Sequence, residues 1–105
     1  MITSGKGKHK VWIKNFIVGV DKIFLLGGGE KSHIGGVVIC ESDKKIKVIK
    51  FENHYDYIAL KLIAEKIFKK YNNNIIVTGG IHIDNATKKD IEIIMDNCRR
   101  LAECI

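Results

Sequence analysis

The side chains that could do chemistry in this chain are two histidines, two carboxylates and a lysine, all in or beside glycine-rich stretches. Residues 26–38 hold Glu30, Lys31 and His33 between Gly27-Gly28-Gly29 and Gly35-Gly36, and residues 78–85 hold His82, Asp84 and Asn85 after Gly79 and Gly80. In an extended segment His82 and Asp84 point to the same face. That pair fits an Asp–His couple orienting an imidazole for proton transfer. With His33 or His54 it also fits a metal site of two nitrogens and a carboxylate, although no H-x-x-x-H spacing accompanies it. The bland alternative is a histidine bonded to backbone, with Asp84 or Asn85 setting a turn. Consecutive N–H groups in a Gly-rich turn can form an anion-binding concavity, and Lys31 adds a point charge. A glycine-eased hairpin with nothing bound fits the same residues. Glu30 either contacts a polar ligand edge or pairs with Lys31 or His33.

Several familiar chemistries are excluded by spacing. A Walker A loop needs Gly-x-x-x-x-Gly-Lys-Ser/Thr, which is not present. A dinucleotide fingerprint needs a helix after the glycines, whereas an apolar strand follows these. Ser32 and Thr78 are hydroxyls without a nucleophile-elbow pattern around them. The three cysteines form no C-x-x-C pair. Cys40 falls in an apolar strand, and Cys98 and Cys104 fall on the packing side of a helix, where thiols are inert.

The elements that must position the two stretches are legible from periodicity. Residues 11–20 read as a strand with Val11, Ile13 and Asn15 on one face and Trp12, Phe16 and Val18 on the other, with a bulge near Lys14-Asn15. Residues 23–26 are an apolar run suited to a central strand buried on both faces. Residues 34–41 and 46–51 alternate around turn chemistry at residues 41–45, which predicts a hairpin. A helix is expected from residues 53–56 to Tyr71, stopped by Asn72, which tolerates a left-handed C-cap. Residues 75–78 give a short central strand. Thr87-Lys88-Lys89-Asp90 resembles a capping box opening a second helix, whose face carries Ile91, Ile94, Met95, Cys98, Leu101, Ala102 and Ile105. The order β-β-β-β-α-β-α predicts an α+β fold, a mostly antiparallel sheet of about five strands with two helices on one face. Because the last helix stays apolar to Ile105, its end should be covered, and a second subunit (a homodimer) would do so.

Length and charge set the remaining bounds. At 105 residues the chain is one domain, expected as a flexible basic tail over 1–10 and a single α+β unit over 11–105. No run approaches the ~20 apolar residues of a membrane span. The first ten residues lack the apolar core of a signal peptide, so a cytoplasmic protein without membrane association is expected. The net charge of +6 points to an anionic partner. The lysines are scattered and no RRM, KH, zinc-finger or helix-turn-helix signature accompanies them, so no specific nucleic acid is expected.

The two stretches together resemble a known family. Gly28-Gly29-Glu30-Lys31-Ser32-His33-Ile34-Gly35 resembles the G-G-E-x-P-H-I-G segment of the prenylated-flavin chaperone (LpdD-like) proteins, the small D subunits encoded with hydroxyarylic acid decarboxylases. Gly80-Ile81-His82-Ile83-Asp84-Asn85 with Thr87 resembles the family's G-I-H-x-D-x-x-T segment, and His54-Tyr55-Asp56 resembles its short His-x-Asp motif. Ser32 stands where the family has proline. The likeness runs from about residue 18 to residue 105. It implies a small soluble protein that binds and protects reduced prenylated FMN (or FMN) and delivers it to a UbiD-type decarboxylase without catalysing decarboxylation. A UbiX-type flavin prenyltransferase is a further implied partner. Carried onto this chain, the cofactor-binding set is Gly28, Gly29, Glu30, Lys31, His33, Gly35, Gly80, His82, Asp84 and Asn85. Lys31 would face the phosphate, and His33, His82 and Asp84 the polar edge of the ring. Two other readings are a metal-assisted enzyme using His33, His82 and Asp84, and an accessory subunit that stabilises a decarboxylase without binding flavin.

Overall fold

A computed structural model of the chain describes residues 1–42, 45–51 and 56–105. Its elements are β1 (Ile2–Ser4), β2 (Val11–Val18), β3 (Asp21–Gly28), β4 (Lys31–Cys40), β5 (Ile46–Lys50), α1 (Tyr57–Tyr71), β6 (Ile75–His82) and α2 (Lys88–Glu103). The sheet has six strands rather than five, in the order β1-β2-β3-β6-β4-β5. Five strand pairs form it; β3–β6 is parallel and the others are antiparallel. The fold class is α+β, as expected.

Strand β6 decides how the site is built. It lies between β3 and β4, which are consecutive in sequence and joined only by Gly29 and Glu30. The pair is thus a hairpin spread open, with β6 inserted between its arms. The connection must pass over the C-terminal end of β6, and this brings the two glycine stretches together. Gly29 adopts φ +72° there, and a Cβ on it would sit 2.5 Å from the His82 carbonyl oxygen. Only glycine allows that approach in that conformation.

Strand-centre residues alternate between two faces. Val11, Ile13, Phe24, Leu26, Val38, Cys40, Ile75 and Val77 are buried against α1 and α2, which contribute Leu60, Ile63, Ala64, Ile67, Cys98 and Leu101 to the same core. Within residues 23–26 of β3 only Phe24 and Leu26 are fully buried, and Ile23 and Leu25 are half-buried, so this apolar run is covered on one face rather than two. The β2–β3 register runs unbroken from Val11–Gly28 to Val18–Asp21, so the bulge expected near Lys14-Asn15 is not there. The irregularity falls in β4, between Ser32 and Gly36.

The helix ends follow local chemistry. Asn72 caps α1 at φ 50°, and its N–H donates to the Phe68 carbonyl. The start of α1 expected at residues 53–56 lies partly outside the described residues. Thr87 and Asp90 form the capping box of α2 in both directions. Two polar residues of α2, Asp90 and Asn97, are buried, and both bind the N-terminal segment. His9 Nε2 lies 2.8 Å from Asp90 Oδ1, Lys8 Nζ is 3.5 Å from the same oxygen, and Asn97 Nδ2 donates to the His9 carbonyl. Residues 1–10, expected to be a flexible tail, therefore carry a paired strand and a 3-10 turn at Gly7–His9. Of their partners on α2, Asp90 is read from sequence only as the end of the capping box, and nothing local marks Asn97. The other end of α2 is closed within the chain: Ile105 packs against the core, and its carbonyl accepts a hydrogen bond from Lys70. A second subunit is not needed there.

Candidate functional site

The bulge in β4 supplies the first functional side chain. Ser32 pairs with Ile81 and Gly36 with Gly79, so four steps of β4 oppose two of β6. Such an irregularity re-aims side chains, and here His33 turns toward the N-terminus of α1. Its Nε2 lies 2.9 Å from Asp56 Oδ2. The other oxygen of Asp56 accepts the Ile81 N–H at 2.8 Å. Asp56 stands at the N-cap of α1, yet its carboxylate makes no capping bond because it is committed to these neighbours. Room for it comes from glycine. A Cβ on Gly35 would sit 2.1 Å from Asp56 Oδ2, and one on Gly80 would sit 3.1 Å from its Cγ.

His82, at the end of β6, has a carboxylate of its own. Its Nε2 lies 2.8 Å from Asp84 Oδ1. That hydrogen bond first, and the Lys31 charge second, hold the Asp84 carboxyl below its ordinary range. Lys31 Nζ is 4.0 Å from Asp84 Oδ2 and its side chain is exposed. Glu30 Oε1 accepts the Asp84 N–H at 2.8 Å, which ties the crossing turn to the segment after β6. The two imidazoles meet edge to face, with centroids 5.8 Å apart and planes at 64°.

Both rings line one wall of a cavity of about 550 Å3. Its other walls are apolar: Leu26 and Ile81 from the sheet, Ile58 and Ala59 from α1, and Ile91, Ile94 and Met95 from α2. Ile91 is 54% exposed, because it stands at the open side of this cavity rather than in the core where the helical pattern would put it. A hollow of this size, apolar except for one polar wall, is the usual form of a small-molecule site.

The residues expected at the site divide into three groups and a single residue, Asn85. His33 and His82 line the cavity. Glu30, Lys31 and Asp84 cluster beside His82 on its exposed side. Gly28, Gly29, Gly35 and Gly80 are placed by close backbone and side-chain approach: a Cβ on Gly28 would sit 2.4 Å from the Lys10 carbonyl oxygen. Asn85 occupies a left-handed turn residue, φ 52°, ahead of α2. An anion-binding concavity at the first stretch has few donors left. Gly28 N–H donates to Ser32 Oγ, Gly29 N–H to the Lys10 carbonyl and Glu30 N–H to the His82 carbonyl.

Asp56 was missing from the expected set. Its signal was the His54-Tyr55-Asp56 motif, but an acid just before a helix reads first as a cap; His54 itself lies outside the described residues. The apolar walls were read as core, since a helix stripe does not reveal where it lacks a partner. Among the described residues no group of three or more His, Cys, Asp or Glu side chains is arranged to hold a metal ion. The thiols offer no nucleophile at this site either. Burial pushes Cys98 up to about 12 and raises Cys40, while Cys104 is exposed, not packed as expected, and lies away from the cavity.

Comparison with known proteins bears on this geometry. The chain is similar to Protein LpdD of Lactiplantibacillus plantarum, with 26% identity over 80 residues. The match takes in 71% of this chain and 59% of that protein, so the chain spans less than two thirds of its relative's length. A family model described as "Prenylated flavin chaperone LpdD-like domain" matches residues 5–105, and so includes the N-terminal segment in which the sequence motifs gave no likeness. With nearly the whole chain matched, including both glycine stretches and the strand between them, the protein belongs to the LpdD-like prenylated flavin chaperone family.

Proposed function

We propose that this protein is a non-catalytic carrier for reduced prenylated FMN, which it holds in the cavity between β6, α1 and α2 and passes to a UbiD-type decarboxylase in the cytoplasm. The observation that carries the reading is the cavity itself: apolar on all sides but one, with two carboxylate-bonded imidazoles on that one. A flavin ring system has the complementary form, an apolar plane with hydrogen-bonding groups along one edge. The volume of about 550 Å3 lies within the range of pockets that take ligands of this size.

Each residue has a share in the work. His33 and His82 meet the polar edge of the ring, and their carboxylate partners fix which way the imidazoles face. Ile58, Ile81, Ile94 and Met95 exclude water from the ring plane. Lys31, exposed beside Asp84, gives a point charge for the phosphate. A reduced flavin is a two-electron donor that dioxygen consumes, which is the reason for a carrier to enclose it.

Anaerobic titration with reduced prenylated FMN, and separately with unmodified FMN, tests the reading. Saturable binding with retention of the prenylated form through gel filtration is the expected result. His82→Ala should weaken it roughly tenfold while leaving the fold intact, because the ring is half in solvent and the lost bond is worth about 1–1.5 kcal/mol. Failure of both flavins to bind would remove the proposal. Binding of plain FMN alone would change the ligand but leave the site in place.

A further inference from the structure

The opposite face of the sheet carries no helix among the described residues. Both helices pack on the side of Ile13, Phe24, Val38 and Val77. Cross-strand registry sets out the rows on the other side. One row is Phe16, Ile23, Ile76, Ile39 and Lys47; the next is Lys14, Leu25, Thr78, Val37 and Ile49; Trp12 and Gly27 follow. A one-sided sheet normally alternates buried apolar residues with polar ones facing water. Here the side that should be polar is apolar across five strands. Phe16 is 49% exposed, Ile49 50% and Ile76 37%, with Ile23, Leu25, Val37 and Ile39 half-exposed between them. A contiguous patch of this kind marks an interaction surface.

Charge identifies the occupant. The chain as a whole is +6, yet a lysine cluster suited to a nucleic acid or an acidic protein is missing from these rows. Lys47 is paired with Glu41 at 2.8 Å. Thr78 has its hydroxyl donated to the Gly36 carbonyl. Lys14, over the Trp12 ring, lies two residues to one side of the Phe16 row, and Asp21, opposite Val18 and with Oδ1 accepting the Asn74 N–H, lies two residues to the other. A two-fold axis lying along the Phe16–Ile23–Ile76–Ile39 row, perpendicular to the strands, would set Lys14 of each copy over the Val18–Asp21 rung of its partner. The same operation stacks the central apolar row on itself. An isologous contact requires this kind of self-complementarity.

We infer that the helix-free face of the sheet is a homodimer interface, in which two copies stack sheet on sheet about the Phe16–Ile76 row, with Lys14 facing Asp21 across it. Sheets packed this way sit about 10 Å apart with strands crossing near 30°. Five strands at about 4.8 Å by four or five residues give a flat footprint of about 350 Å2 per copy. That is below the standard ~800 Å2 of accessible surface per partner, which places the contact among weak ones that form and dissociate with concentration. The inference is independent of the flavin reading, since the cavity opens on the opposite side of the sheet.

Light scattering on gel filtration, with the full chain loaded from roughly 1 to 500 µM, tests it. The mass should rise from 11.9 kDa to twice that value across the series. Ile76→Glu should abolish the rise while circular dichroism remains that of the parent. Lys14→Glu should weaken dimerisation about tenfold, and Lys14→Glu combined with Asp21→Lys should restore it. A chain that stays monomeric throughout overturns the inference, even if it binds another protein by this face. So does a dimer that is indifferent to Ile76→Glu, and failure of the double charge reversal to restore association overturns the proposed two-fold.

Discussion

Asp56 is the residue on which the site's geometry turns. One oxygen holds the His33 ring and the other holds the backbone of β6 at Ile81, so one carboxylate fixes both sides of the polar wall. Gly35 exists to leave it space. Gly35→Ala should therefore fold but push the carboxylate aside, at a cost of about 1–3 kcal/mol for bonds left unmade. Its thermal midpoint should fall, and flavin retention should fall with it. A variant that keeps both would show that Asp56 has room to spare. His33 and His82 were legible in sequence because histidines among glycines are conspicuous. Asp56 was not, because nothing in a linear pattern shows that a helix-start acid turns away from its own helix. The glycines were visible but their purpose was not: the same run that reads as an anion cradle turns out to serve close approach, with its amides already donated.

At the scale of elements, α2 is a fixture for both ends of the molecule. Its capping box was readable from Thr87 to Asp90, and the box explains one of Asp90's two roles. The other role, binding His9 and Lys8, is a contact across most of the chain's length that no local pattern carries. The Thr87 N–H bond above all, and His9 after it, hold the Asp90 carboxyl well below its ordinary value of 3.8. A carboxyl lowered in the folded state stabilises fully above its unfolded value and loses that contribution as pH falls through the folded one. Asp90→Asn should thus be less stable than the parent at pH 7, and the gap should narrow below about pH 4. Urea midpoints measured at pH 7 and pH 3 check this; an equal gap at both values would mean that the ionised form makes no special contribution. The N-terminal segment is the element that sequence placed least well, since three basic residues and two glycines read as a solvated tail until their partners on α2 are known.

For the whole molecule, the class was legible and the strand order was not. Alternation and helix stripes give α+β with few alternatives, because each element's apolar face must meet another. They do not say that β6 enters between β3 and β4. That placement depends on pairings between residues 22–40 and 75–82, separated by the hairpin and a helix. The sixth strand was missed for a related reason: β1 is three residues long and pairs only at the edge.

The inserted strand also has a consequence during synthesis. When a chain has emerged from the ribosome only as far as α1, β3 and β4 exist but the strand that joins them does not. Two inner edges then stand with their N–H and C=O groups unpaired, the condition that templates pairing with another chain. The sheet closes only when β6 arrives, by contacts of large sequence separation, which makes closure slow relative to helix formation. A fragment of residues 1–74 should accordingly aggregate or remain without stable sheet signal in circular dichroism, and adding a peptide of residues 75–105 should rescue part of it. A soluble, folded fragment would mean that β3 and β4 pair with each other until they are parted. In cells the exposed interval is short, but it falls at the sheet's centre, where β6 also brings Ile81 and His82 to the cavity wall.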